Sequence, residues 1–250
     1  MPQFFVDRDF CVGDEVALTG ADARHVSQSL RLGVGDWLVL SDGRGSSFRS
    51  EILSASPGRV TAKVLEEMPR PALSPPPALA LAVIKGDRFE WALGKCVELG
   101  CRRILPFFSS RTVPQYSRGA DVRKLTRWRK IALEAAIQSG LPFRPEVEKP
   151  AAFGEMVAGF GRFDRAILFY EGERGRDVRS HFSEGEGRKV SAVDLLIIGP
   201  EGGFSKEEVD LAREAGAVSL CLGSQILRVE TAAVVAVALW QYELGNMDAI

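Results

Sequence analysis

Cysteine and histidine are scarce in this chain. Four cysteines (Cys11, Cys96, Cys101, Cys221) and two histidines (His25, His181) stand among 250 residues. No C-x-x-C pair occurs, so the usual ligand spacing of a tetrahedral zinc site is missing and no metal is expected. The thiols read as reduced cysteines of a cytosolic protein rather than as a disulfide framework. Net charge is also nearly absent, at −1 from 32 basic and 33 acidic side chains. That excludes a globally basic nucleic-acid coat, and any nucleic-acid site must be a local patch. No apolar run approaches the roughly 20 residues of a membrane span. The opening stretch MPQFFVDRDF has no basic segment followed by an apolar one, so no signal peptide is expected. The phosphate-loop pattern G-x-x-x-x-G-K-[ST] is missing, as is G-x-G-x-x-G after a strand, which argues against an NTPase or a usual dinucleotide site.

What is present is an ordinary globular composition, 46% hydrophobic and 26% charged, able to bury a core. The stretch EEMPRPALSPPPALAL (66–81) carries five prolines between Pro69 and Pro77. It cannot be helix or central strand, so it reads as a linker over 69–77. Before it, over 1–68, DWLVL, SFRSEILSA and RVTAKVLEE are strand-like runs separated by the turn signals SDGRGSS and SPG. Strands at that spacing predict a small antiparallel barrel, with ADARHVSQSLRL (21–32) as one helical insert. After the linker, over 78–250, strands alternate with helices, which predicts an α/β domain with a mostly parallel sheet.

The most informative corner is LLIIGPEGGFSKEEVD (195–210). Ser205 and Glu208 make an S-x-x-E capping box, so a helix starts near Lys206. A strand, a glycine-rich turn and a helix N-terminus form a generic anion or cofactor site. A tight βα turn with no ligand uses glycine as well. Two more strands leave through glycine: AILFY into Glu171-Gly172, and LCLG through Gly223 toward Arg228, Glu230 and Thr231. Ligands of open α/β sheets sit outside the carboxyl ends of strands. A ligand with an apolar ring and polar edges suits such loops, with Leu222, Ile226 and Leu227 over its faces. Valine at Gly203 is expected to block the corner by bulk while the fold survives. The final helix has no charge from Ala232 to Trp240, so it is expected in the core or against another subunit.

LLIIGPEGGFSKEEVDLA together with LCLGSQILRVETAAVVAV strongly resembles the RsmE family of ribosomal RNA methyltransferases, of the SPOUT class. HVSQSLRLGVGDWLVLSDGRG resembles that family's N-terminal PUA-like barrel, and KGDRFEWALGKCVELG and RWRKIALEAAIQSG its middle helices. The sequence departs from the family pattern at Ser224-Gln225 and at Leu141, where an arginine is common. The resemblance implies a PUA-like β-barrel followed by a trefoil-knotted α/β domain, a homodimer, and S-adenosyl-L-methionine as methyl donor. It implies 3-methyluridine formation in 16S rRNA, in the assembled small ribosomal subunit, in the cytoplasm. The cofactor residues it implies are Phe169, Tyr170 and Glu171 after one strand, and Ile198, Gly199, Pro200, Glu201, Gly202 and Gly203 after the next. Leu222, Gly223, Ile226, Leu227, Arg228, Thr231 and Ala232 complete the set.

Loss of the N3 proton of uridine puts negative charge on the two uracil oxygens, and a cation aimed there would stabilise it. Arg228 is the candidate cation; its alternative is an ion pair with Glu201 or Glu230 that locks the loop. Arginine is a poor base. Glu230, a water or simple ionisation of N3 are all open as the route for the proton. Residues 101–130 hold nine Arg or Lys and one acid, Asp121, a pattern suited to RNA phosphates. Arg111, Arg123 and Arg127 there, with Arg24, Arg31 and Arg44 in the barrel, are the candidate RNA contacts. Trp128 reads as core, and His25 as structural or RNA-contacting rather than catalytic. The rival readings are a SPOUT methyltransferase with another RNA target, or a non-catalytic rRNA-binding assembly factor.

Overall fold

The computed structural model describes residues 1–69, 74–112, 118–183 and 192–247. The Pro-rich stretch therefore lies partly outside the described residues, as do positions 113–117 of the basic segment. The chain forms two compact units, Met1–Pro71 with Ala136–Arg144, and Ala72–Ala135 with Pro145–Ile250.

The first unit contains β1 (Gln3–Phe5), β2 (Glu15–Thr19), α1 (Gly20–Arg24), β3 (Trp37–Ser41), β4 (Ser47–Ala55) and β5 (Arg59–Glu67). The three strands expected from sequence are β3, β4 and β5; β1 and β2 are too short and too mixed in polarity to have stood out. The sheet order is β1-β3-β4-β5-β2. All neighbours are antiparallel except β1 beside β3. Alternate residues point to one core, where Val16, Leu18, Leu38, Leu40, Ile52, Val60, Ala62 and Val64 are buried with Ala23 and Val26. Register shifts between β4 and β5 at Arg49/Ser50 and Ile52/Ser54 increase the curl of the sheet. The predicted helix over 21–32 is shorter. It passes into a π-helical turn, His25–Ser29, and Arg31 at φ +55° ends it.

Residues 136–144 join this unit by three long-range hydrogen bonds. Arg144 N–H donates to Gly43 O (2.9 Å), Gln3 Nε2 to Leu141 O (2.6 Å) and Ser41 Oγ to Pro142 O (3.0 Å). The turn that receives Arg144 is built by Asp42, whose Oδ1 accepts N–H from Arg44, Gly45 and Ser46. Burial alone would raise this carboxyl, but those N–H groups and the Arg44 charge hold it below the ordinary range.

The second unit runs β6 (Ala78–Ala82), α2 (Arg88–Glu98), β7 (Arg103–Phe108), α3 (Arg118–Gln138), β8 (Glu146–Val147), β9 (Ala151–Ala152), α4 (Phe153–Ala158), β10 (Arg165–Phe169), α5 (Val178–Ser183), β11 (Asp194–Ile198), α6 (Lys206–Glu214), β12 (Val218–Leu220) and α7 (Val229–Glu243). The sheet order is β12-β10-β11-β6-β7-β8, with β9 also beside β7, and every pairing is parallel. β6 and β11 are buried along their whole length, as strands covered on both faces must be. β6 alternates small and large for a reason. Ala78, Ala80 and Ala82 share a cluster with Phe107, Phe153 and Phe204, whose rings need the room. Leu79 and Leu81 point to the opposite face, the period of two that a strand imposes.

α7 packs on α2, β11 and β6. It buries Val229, Ala233, Ala236, Val237, Trp240 and Gln241. Trp240 Nε1 donates to Asp194 Oδ2 (2.8 Å), and Arg165 grips the same carboxylate with Nε (3.0 Å) and Nη2 (2.8 Å). Trp128 is core, its ring 4.3 Å from that of Phe89.

Candidate functional site

The sheet order makes β10 the neighbour of both β11 and β12. Phe169 pairs with Ile198 on one side and Leu220 on the other. The three glycine-containing exits expected from sequence therefore leave one carboxyl edge side by side. Tyr170 N–H still bonds Leu220 O (2.9 Å), so β10 and β12 separate only beyond that pair.

The corner after β11 is shaped by its glycines. Gly203 N–H closes a turn onto Pro200 O (2.9 Å), with Gly203 at φ +66°. A Cβ there would collide with the Glu171 carboxylate, so the first and second loops touch at this point. A Cβ on Gly199 would come within 2.8 Å of the Phe204 ring, which is buried. Valine at Gly203 would thus strain the backbone and push Glu171 aside. The positive φ adds a backbone cost to the bulk expected from sequence. Gly223, in the third loop, is exposed at φ +112°.

α6 begins where the sequence placed it. Ser205 Oγ accepts Glu208 N–H (3.2 Å), and Glu208 Oε2 accepts Ser205 N–H (3.0 Å). Glu208 does more than cap. It is buried, and it also accepts Ser109 Oγ–H (3.0 Å) and Ser110 N–H (2.8 Å) from the loop after β7. Arg111 in that loop donates from Nη1 to Gly202 O (2.9 Å). Sequence reasoning missed Ser109, Phe204 and the second role of Glu208. The only local signal was the capping box itself.

Arg228 is the N-cap of α7 and is exposed. It makes no ion pair with Glu201 or Glu230; Glu201 pairs instead with Arg88 at 2.7 Å. Glu230, in the first helical turn, has a buried Oε2 with no hydrogen-bond partner among the described residues. Leu222, Leu227 and Ala232 are partly buried and Thr231 is exposed, while Ile226 projects outward at 87% exposure.

Of the candidate RNA contacts, Arg24, Arg31 and Arg123 are exposed and form no ion pair among the described residues. Arg127 pairs with Glu90 (2.6 Å), and Arg44 with Asp9 and Asp42. His25 meets Phe4 edge to face in the first unit, a packing contact. Cys96 and Cys101 are fully buried, and burial pushes the Cys101 thiol up to about 12, so neither serves as a thiolate nucleophile. No group of three or more His, Cys, Asp or Glu side chains suited to a metal exists among the described residues. No helix there is long and apolar enough to cross a membrane.

A curled sheet and a parallel α/β unit with a backbone-lined corner define the class of PUA-bearing RNA methyltransferases. Residues 73–241 match the family described as RNA methyltransferase domain, and 18–65 that described as RNA methyltransferase PUA domain. The chain is 31% identical over 234 residues to ribosomal RNA small subunit methyltransferase E of Bacillus subtilis (strain 168), covering 91% of this chain and 90% of that one. It is 33% identical over 225 residues to the protein of the same name from Synechocystis, covering 89% and 71%. The crystal structure of ribosomal RNA small subunit methyltransferase E from Neisseria gonorrhoeae bound to S-adenosyl methionine superimposes with TM-score 0.84 at 29% identity, over 97% of each chain. A methyltransferase from Legionella pneumophila with bound cofactor SAM gives TM-score 0.82 at 28% identity, over 96% of each. The chain belongs to the RsmE family of ribosomal RNA methyltransferases.

Proposed function

We propose that this protein methylates N3 of a uridine in small-subunit 16S rRNA, with S-adenosyl-L-methionine as methyl donor. One observation carries the reading: three adjacent strand ends leave one carboxyl edge, and on the helix that follows the third exit Glu230 Oε2 is buried with no hydrogen-bond partner among the described residues. Such an oxygen calls for a ligand donor. The residues fit the cofactor. Backbone of Gly199–Gly203 and of Leu222–Gly223 would read its polar edges, with Phe169, Tyr170, Ile198, Pro200, Leu222, Leu227 and Ala232 along its apolar parts. Glu171, Thr231 and Glu201 would supply side-chain polarity. When bound, the cofactor supplies an electrophilic methyl group on a sulfonium.

The chain's own residues must position the uracil and remove its N3 proton. Arg228 is exposed at the N-cap of α7 and forms no ion pair among the described residues, so its guanidinium can meet the charge that develops on the uracil oxygens. Glu230 accepts the proton in this reading, since its buried oxygen has no hydrogen-bond partner among the described residues. Arg24, Arg31 and Arg44 of the first unit and Arg111, Arg123 and Arg127 of the second contact phosphates. The protein acts in the cytoplasm, on the assembled small subunit, as a homodimer.

Transfer of labelled methyl from S-adenosylmethionine to small subunits, followed by mass spectrometry of the digested RNA, tests this. Label in 3-methyluridine of 16S rRNA is the expected product. Label in another nucleotide or another RNA would replace the substrate assignment. Absence of any transfer, with cofactor bound, would favour an assembly factor.

A further inference from the structure

We infer that Arg111 couples the cofactor corner to RNA: one of its donors fixes the Gly202 carbonyl while the rest of its guanidinium takes an RNA phosphate. The inference rests on the reading above.

Two facts set Arg111 apart from the other basic residues. Its Nη1 is bonded to the backbone of the glycine corner, 91 residues away in sequence. Its side chain is nevertheless exposed, with four further N–H groups, and it forms no ion pair among the described residues. Arg127, by contrast, is held by Glu90, and Arg44 by Asp9 and Asp42.

The loop that carries Arg111 is itself bolted to the same corner. Glu208 Oε1 holds Ser110 N–H, and Oε2 holds Ser109 Oγ–H and the cap's Ser205 N–H. Ser109 N–H bonds Thr112 Oγ1 (2.9 Å), and Thr112 N–H bonds Ser109 O (2.9 Å), so the loop closes on itself around Arg111. A capping carboxylate normally serves its own helix end in water. Here it is 7% exposed and spends half of its accepting capacity on another loop. Whatever steadies Gly202 and Gly203 therefore steadies Arg111, and whatever holds Arg111 steadies the corner. Linkage makes that effect mutual: cofactor must tighten RNA binding by the factor by which RNA tightens cofactor binding.

Arg111 is thus a positioning residue with an RNA contact. The test measures affinity for small ribosomal subunits bearing the unmethylated target uridine, with and without saturating S-adenosylhomocysteine. For the wild type, the ligand should tighten RNA binding by about fivefold or more, the lower end of common couplings. In Arg111→Ala the ratio should fall to near one. Arg111→Lys should recover part of the RNA affinity, because the charge remains, without restoring the ratio, because a point charge does not reproduce the fork. A merely structural arginine would weaken both ligands and leave the ratio unchanged; that result, or a wild-type ratio of one, overturns the inference. Glu208→Gln supplies the second arm. Glutamine has one accepting oxygen, so the helix cap or the tie to Ser110 loses its acceptor, and the ratio should drop there too; an unchanged ratio also counts against coupling. Failure of the wild type to bind S-adenosylhomocysteine at all would instead remove the functional reading itself.

Discussion

At the scale of single residues, Arg228 is exposed and forms no ion pair among the described residues, which favours the cation role over a lock on the loop. A loop-locking arginine would have found Glu201 or Glu230; Glu201 is taken by Arg88. Arg228→Ala should lower the single-turnover methylation rate by roughly 10²–10³, the usual cost of one lost oxyanion donor. S-adenosylhomocysteine affinity should barely change, because the contact forms as charge develops. A normal chemical step with weakened cofactor binding would return Arg228 to the loop. The glycines of the corner offer a paired test. Gly203→Ala forces a side chain into φ +66° and against Glu171. It should cost about 1–2 kcal/mol from backbone strain and weaken cofactor binding. Gly202→Ala makes ordinary contacts with Arg111, at 3.4 Å from Cβ and 3.6 Å from Cδ, with no positive φ, and should leave the melting temperature nearly unchanged. Thermal unfolding and calorimetry on the pair read both effects; equal losses would show that φ is not what distinguishes them. These glycines were legible in sequence as a turn. Which of them needed its positive φ was not, because that is set by the turn in which Gly203 N–H bonds Pro200 O.

At the scale of elements, the long periodic segments were readable and the short ones were not. The strands at 78, 103, 165, 194 and 218 and the helix opened by Ser205 follow from runs of apolar residues closed by glycine or a cap. β8 and β9 have two residues each, and no pattern can announce them. α7 illustrates a further gap. Its lack of charge predicted burial, but the polar tie that accompanies its apolar packing was not legible. Trp240 and Arg165 both serve Asp194, a carboxylate with 0% exposure, although they lie on different elements. Arg165→Met should therefore be strongly destabilising, by about 3 kcal/mol, since it strands a buried charge. Trp240→Phe keeps most of the ring but loses one donor, and should cost less, about 1.5–3 kcal/mol. Denaturant unfolding of both variants checks the order. If Trp240→Phe were the costlier, ring packing against Phe169 and Phe182 would be the larger contribution.

At the scale of the whole molecule, the return of residues 136–144 to the first unit was invisible in sequence, because it depends on Gly43 O reaching the amide of Arg144 and Gln3 Nε2 the carbonyl of Leu141, both far along the chain. The assembly of two copies, which the family resemblance implies, has a footprint that can be argued from one helix. Ala232, Val235, Leu239 and Tyr242 recur at spacings of three and four, so they share a face of α7. Among the described residues that face is open toward its C-terminal end: Leu239 is 37% and Tyr242 65% exposed, while Trp240 and Val237 are fully buried. Ile226, in the loop that leads into the helix, is 87% exposed. Apolar groups on a helix with no charge from Ala232 to Tyr242 gain by meeting their own copy across a two-fold axis. Replacing Leu239 and Tyr242 together by Asp should leave the fold intact, because neither contributes to the core, and should convert a dimer into a monomer in sedimentation equilibrium at micromolar concentration. Thr231 and Ala232, assigned to the cofactor, occupy the first turn of the same helix, so the monomeric variant should also bind S-adenosylhomocysteine more weakly. A wild type that sediments as a monomer at tens of micromolar, or a variant that stays dimeric, would show that this face has another use.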